Sequence, residues 1–431
     1  MYDNSKPLVP TGKLSPQAWM EAPETRAVVA ALTADGSEAR FVGGCVRDAV
    51  ARRPVGDIDI ATKEPPARVI KLLEAAGIRA VPTGIEHGTV TAVIGDRHFE
   101  ITTLRIDVET DGRRAKVAFT DDWAADAARR DFTINTLSCT PTGDIFDPFD
   151  GLSDLAHGRV RFVGNASERI KEDGLRLLRF FRFYATYGRP PPDADALAAG
   201  RALAPMLDTL SGERVRDELL RILSAPEPAE VINLMRGERV LERILPAAGD
   251  AGRLRALAWL ETKAVRIDSL APEPIRRLAA LLKTDRDGAE RVAQRLRLSN
   301  QETERLATLA APPTAVTPDL AARARRRALH RLGAGTFRDL ALLAWAGEMA
   351  ITPHGPQGRS AAWIALLSEA DAWQPLAFPL KGRDALALGV PEGPRVGELL
   401  AQVEAWWEDG DFRAGREECL AKLKALTDGA G

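Results

Sequence analysis

Cysteine is scarce in this 431-residue chain, and Cys45, Cys139 and Cys419 are all it has. An odd, scattered set gives no disulfide framework and no paired thiols for zinc, and it fits a reducing cytoplasm. Histidine is nearly as rare, with five residues and no metal-spaced pair. No apolar run reaches the ~18 residues of a membrane helix, so no membrane partner is expected. Met1 to Lys13 is polar and holds no apolar signal core. A basic excess is missing too, since the net charge is −2. A polyanionic partner would therefore be met by local patches rather than by the field of the whole molecule. Fixed-period repeats and long low-complexity tracts are also absent.

What remains is an ordinary globular composition in a chain too long for one core, so roughly two to four domains are expected. The first 160 residues or so alternate short apolar runs with helical stretches, as in a small α/β domain. Thr89 to Ile94 and His98 to Thr102 read as two strands joined by a turn at Gly95-Asp96. From about Ala166 the pattern is helical nearly to the end, cut by Pro-rich breaks at 189–192, 225–228 and 311–313. Ser299 to Glu302 has the form of a capping box. Two stretches are locally basic. Between Gly151 and Arg189 there are eight Arg plus Lys against four Asp plus Glu. A second cluster comprises Arg323, Arg325, Arg326, Arg327 and Arg331. Both could meet phosphates, although the second reads more simply as a solvated helix face.

The centre of the argument is Asp57-Ile58-Asp59-Ile60. Strand alternation puts Asp57 and Asp59 on one face and the isoleucines on the other. Paired carboxylates repel unless a cation lies between them, and oxygen ligands suit Mg²⁺. Two such ions activate a hydroxyl and stabilise a leaving pyrophosphate. Alone, the pair could equally be two solvated acids. Upstream, however, Phe41-Val42 runs into Gly43-Gly44 and then Arg47. Two glycines between a strand and a helix let the backbone approach a triphosphate, and Arg47 can donate to phosphate. Glu100, in a later strand, is the candidate third metal carboxylate. Its alternative is a plain edge-strand acid.

The Gly pair with its spaced Asp-x-Asp resembles the DNA polymerase β-like nucleotidyltransferases. Three further segments follow in order. They are Arg129-Arg130-Asp131-Phe132-Thr133-Ile134-Asn135, then Asp147 to Gly151 with Asp154-Leu155, then Glu172-Asp173-Gly174-Leu175-Arg176 running on to Arg179, Arg182 and Phe183. Together they resemble the class II CCA tRNA nucleotidyltransferases and their sister family, the bacterial poly(A) polymerases.

That resemblance implies an α+β fold: a nucleotidyltransferase head with a mostly antiparallel sheet, then an all-helical neck, body and tail. The corresponding boundaries are 1–160 for the head (catalytic core about 28–160), 161–225, 226–330 and 331–431. It implies Mg²⁺ as cofactor, CTP, ATP and the tRNA 3′ end as partners, and a monomer or homodimer. Gly43, Gly44, Arg47, Arg130, Asp173, Arg176, Arg179 and Arg182 would bind nucleotide, with Asp131 and Asn135 supporting them. Asp173 and Arg176, three apart on one helix, would read the Watson–Crick edges of C and A. Their alternative is an intrahelical salt bridge. Gly174 would then sit inside a helix. Phe180, Phe181 and Phe183 read as core. The polar stretch from 103 to 126 resembles the flexible loop of full CCA enzymes. Its alternative is an ordinary mobile surface loop. The glycines near 382–397 would end helices in a tail that grips tRNA, and Trp406-Trp407 would pack rather than stack on RNA. Poly(A) addition, CC-only addition and a catalytically dead RNA-binding protein are the competing readings. The Asp-Ile-Asp segment and the lack of a very basic tail favour CCA addition over the first.

Overall fold

The computed structural model describes residues 8–111, 114–265, 270–353 and 355–428. The chain forms two compact units, Met1–Pro246 and Ala247–Gly431. The polar stretch Met1 to Lys13 lies outside the described residues as far as position 7.

Unit 1 is built on a sheet whose strands are β1 (Gly12–Lys13), β2 (Ala39–Val42), β3 (Ile58–Thr62), β4 (Arg79–Gly84), β5 (Thr89–Ile94), β6 (Arg97–Thr103), β9 (Ser138–Cys139) and β10 (Asp144–Phe146), in the order β1-β10-β9-β2-β3-β6-β5-β4. Its pairings are antiparallel except for β3 against β6. Alternation explains β6: Phe99, Ile101 and Thr103 are buried while Arg97, His98 and Glu100 are exposed. The β5–β6 hairpin turns at Gly95-Asp96, with Ile94 opposite Arg97, as the sequence suggests. Phe41, Val46, Ile60, Val90, Phe99 and Ile101 form the core under the sheet.

The stretch from 103 to 126 departs from the expected loop. It makes a two-stranded ribbon of β7 (Arg105–Asp111) and β8 (Arg114–Phe119), Arg105 opposite Phe119. Cross-strand backbone bonds pair the inward-facing polar groups of its two strands. Gly112 and Arg113, at its turn, lie outside the described residues.

Helices follow to the end of unit 1, among them Ala166–Glu172, Leu175–Tyr187 and Gly212–Leu223. One expectation fails here. Asp173 and Arg176 do not share a helix, because Asp173 has extended φ/ψ of −156° and 110° between the first two of these helices. Its carboxylate accepts the Leu175 amide at 3.1 Å, the local bond by which Asp competes with helix continuation. Gly174 therefore caps the second helix rather than weakening the interior of one. A Cβ there would meet the Met206 Cβ at 3.3 Å. Phe180, Phe181 and Phe183 are core, as expected.

The regular elements described in unit 2 are helices, with one isolated β-bridge between Ala248 and Leu282. The box at Ser299 forms in full, its hydroxyl taking the Glu302 amide and Glu302 taking the Ser299 amide. Arg276 and Arg277, both buried, meet Glu261 at 2.5 and 2.6 Å. A second small core gathers Leu399, Val403, Trp407, Cys419 and Leu423, so Trp407 packs while Trp406 stays 36% exposed. Gly389 ends a helix at positive φ, but Gly382 and Gly397 lie inside Gly382–Ala387 and Pro394–Asp409. The arginine cluster is neutralised in place. Arg325 pairs with Glu369, Arg326 with Asp411, Arg327 and Arg331 with Glu408, and Arg323 approaches Asp409 at 3.7 Å.

Candidate active site

β3 and β6 run parallel in a register that sets Asp59 opposite Glu100. Asp57 stands just before β3 and is exposed, so the expected strand face holds only Asp59. Ile58 and Ile60 point into the core on either side of it. Burial, then Glu100 and Asp57, push the Asp59 carboxyl up to about 6, against the pull of Arg130. No hydrogen bond among the described residues opposes that rise. A half-buried acid beside two others, all oxygen donors, is the donor set that suits a hard divalent cation. Among the described residues no group of three such side chains is already gathered into a ligand cluster. Mg²⁺ keeps several waters and needs only one or two protein carboxylates, so the set still fits it.

Gly43 follows β2 with φ 67° and ψ −121° and leads into the helix Gly44–Val50. A Cβ at Gly43 would lie 2.8 Å from Arg130 Nη1, so a side chain there would push that guanidinium off the turn, and the positive φ favours glycine as well. Arg130 also donates to the Asn135 carbonyl at 3.4 Å and to Asp126 at 3.3 Å.

A polar chain backs this turn. Arg47 donates to Asn135 Oδ1 at 2.6 Å, and Asn135 donates to Asp131 at 2.8 Å. Asp131 in turn takes Arg179 Nε at 2.7 Å. Burial opposes ionisation of Asp131, yet Arg179, Asn135 and the Phe132 amide hold its carboxyl below the usual range. Arg182 meets Glu218 at 2.5 Å, and Arg179 lies 3.9 Å from the same carboxylate. Arg47, Asp131, Asn135, Arg179 and Arg182 are thus one connected network, closed through Glu218, that joins the helix Gly44–Val50 and the segment 131–135 to the helix Leu175–Tyr187.

Asp173 and Arg176 are not paired to each other. Arg214 donates to Asp173 at 2.6 Å, while Arg176 donates to Glu172 and to the Arg169 carbonyl. Sequence reading passed over Arg214, Glu218 and Asp126. The first two lie on the amphipathic helix Gly212–Leu223. Glu218 is 4% exposed although it is an acid. An acid falling on an apolar helix stripe was the signal available.

The chain matches the family model described as "Poly A polymerase head domain" over residues 39–161. It matches "Probable RNA and SrmB- binding site of polymerase A" over residues 192–251. It is 34% identical over 406 residues to mitochondrial CCA tRNA nucleotidyltransferase 1 of Mus musculus, spanning 90% of this chain and 87% of that one. The CCA-adding enzyme of Streptococcus gordonii is 35% identical over 297 residues, which covers 66% of this chain and 73% of that protein. Among solved structures, the Bacillus stearothermophilus CCA-adding enzyme in complex with CTP superposes with a TM-score of 0.72 at 26% identity, covering 94% of this chain and 96% of that one.

Proposed function

The chain belongs to the CCA tRNA nucleotidyltransferase family, and from that premise we propose that it adds C, C and A to the 3′ end of tRNA from CTP and ATP. The observation that carries the reading is the register of β3 on β6, which sets Asp59 opposite Glu100, with Arg130 near enough to act on the Asp59 charge. Mg²⁺ held by Asp57 and Asp59, with Glu100 beside them, would activate the RNA hydroxyl and neutralise the departing pyrophosphate. The first amides of the helix Gly44–Val50 would face the triphosphate, and Arg130 would donate to its oxygens together with Arg47, once Arg47 exchanges its present partners Asp48 and Asn135. Asn135 orients both arginines, taking Arg47 on its Oδ1 and Arg130 on its carbonyl, and Asp131 fixes Asn135 in turn. Holding the triphosphate and the RNA end together supplies much of the acceleration as prepaid orientation.

Asp173 and Arg176 would read the incoming base, with Arg179 and Arg182 closing the wall behind it. Both readers are satisfied by their own neighbours, Arg214 and Glu172. A base must therefore offer at least equivalent bonds to replace them. The helical body and tail would hold the tRNA.

A second reading is favoured by the descriptions of the two matching family models, which name poly(A) polymerase. Incorporation of labelled CTP and ATP with Mg²⁺ on tRNA ending without CCA, with CC and with CCA separates the two. Addition that stops at CCA supports the proposal. Continued AMP addition to a completed end, with no use of CTP, replaces it.

A further inference from the structure

Asp126 lies on the short helix Trp123–Ala128 and is only 4% exposed. An acid so buried must be matched by donors. Its Oδ1 takes the Arg129 side chain at 2.9 Å and the backbone N–H of Arg105, the first residue of β7, at 3.2 Å. Its Oδ2 takes Arg130 Nη2 at 3.3 Å. Burial pushes its carboxyl up, but Arg130 and Arg129 more than offset that and keep it below the usual range. The other end of the Arg130 guanidinium, Nη1, closes over Gly43 and reaches the Asn135 carbonyl. Arg130 is therefore gripped at both nitrogens, and its anionic grip is a carboxylate whose own orientation is set by the base of the ribbon.

We propose that Asp126 is a positioning residue for nucleotide binding, aiming the Arg130 guanidinium at the triphosphate across the Gly43 turn. The inference rests on the reading of Arg130 as a triphosphate ligand. Asp126 touches no substrate and acts only through Arg130. Without its charge the guanidinium keeps, among the described residues, the weak hydrogen bond to the Asn135 carbonyl and the longer-range attraction of Asp59, and loses its fixed direction. The effect must then appear in the binding of nucleoside triphosphate and not in that of tRNA.

The test is a double-mutant cycle in the full-length protein, read as KM for CTP and KM for tRNA with Mg²⁺ in excess. Asp126→Asn is nearly isosteric and keeps an acceptor for the Arg105 amide. Asp126→Ser is smaller and also uncharged, and whichever variant melts near the parent is used. The expected result is a rise in the CTP KM on the order of tenfold with the tRNA KM unchanged. In an Arg130→Ala background the same substitution should add nothing further. A CTP KM unmoved by Asp126→Asn or Asp126→Ser, where Arg130→Ala raises it, overturns the positioning role alone. Additive effects of the two substitutions overturn it as well, because Asp126 would then act by another route. An unmoved CTP KM in Arg130→Ala itself removes the triphosphate role of Arg130, and the inference falls with it.

Discussion

At the scale of single residues, Asp59 carries the sharpest consequence. Its carboxyl rises from the ordinary 3.8 to about 6 because burial, Glu100 and Asp57 all disfavour its charge. In that window the folded protein binds a proton that the unfolded chain has released. Its contribution to stability is therefore present at low pH and lost as pH rises through about 4 to 6. In metal-free protein, Asp59→Asn should melt higher than the parent at pH 7, and the gain should vanish near pH 4. Melting curves in a chelator at the two pH values check this, and a lower melting point at pH 7 would contradict it. The same substitution, like Asp57→Ala and Asp59→Ala, should reduce nucleotide transfer below about one part in a hundred, since metal clamping supplies several kcal/mol. Base choice belongs to this scale too. Cytosine N4 and adenine N6 donate where uracil O4 and guanine O6 accept, so a carboxylate at Asp173 suits the first pair. An unmatched buried acceptor costs about 1–3 kcal/mol, or roughly ten- to a hundredfold. Asp173→Asn with Arg176→Glu should move the preference toward UTP or GTP. Single-nucleotide incorporation with all four triphosphates measures it, and an unchanged ranking in a folded variant removes the pair from base reading. The types of these residues were legible in the chain, because Asp-x-Asp and the spaced Arg series announce their chemistry. Their partners were not, since Arg214 reaches Asp173 across 41 positions.

At the scale of elements, the turn between β2 and the helix Gly44–Val50 shows how backbone conformation makes room for a side chain. Gly43 has positive φ, and a Cβ would press on Arg130 at 2.8 Å. Gly43→Ala should destabilise the protein by about 1 kcal/mol through the left-handed backbone alone. It should also displace Arg130, weakening CTP binding more than stability. Comparing the CTP KM with the melting point distinguishes the two effects, and a variant equal to the parent in both would dismiss the close approach. Strands were readable where alternation was strict, as in β5 and β6. The ribbon β7–β8 was not, because its sequence from Arg105 to Phe119 is mostly polar and read as a loop. The helix break at Asp173 was also hidden. Gly174 looked like a weakened interior position until the Asp173 carboxylate was seen to take the Leu175 amide.

At the scale of the whole molecule, the division after Pro246 separates the sheet, the arginine network, Asp173 and Arg176 from the remaining helices. A chain ending at Pro246 should keep CTP affinity within a few-fold and lose most of its tRNA affinity. Filter binding of labelled tRNA and equilibrium binding of CTP to the folded truncation check this. Full tRNA affinity in unit 1 alone would place the tRNA contacts there. Binding by the whole chain should weaken steeply with salt as phosphate contacts release counterions. The basic cluster at 323–331 is a poor candidate for those contacts, because Glu369, Glu408 and Asp411 already answer its charges. The order of strand-bearing and helical segments and the chemical types in the site follow from local pattern, since periodicity and short motifs act between near neighbours in the chain, whereas the α+β fold was implied by the family resemblance. Which carboxylate is half-buried, which arginine is gripped at both ends and which patch is cancelled were decided only by tertiary structure. Burial and charge pairing depend on residues that folding brings together from distant positions, and a linear sequence does not encode those distances locally.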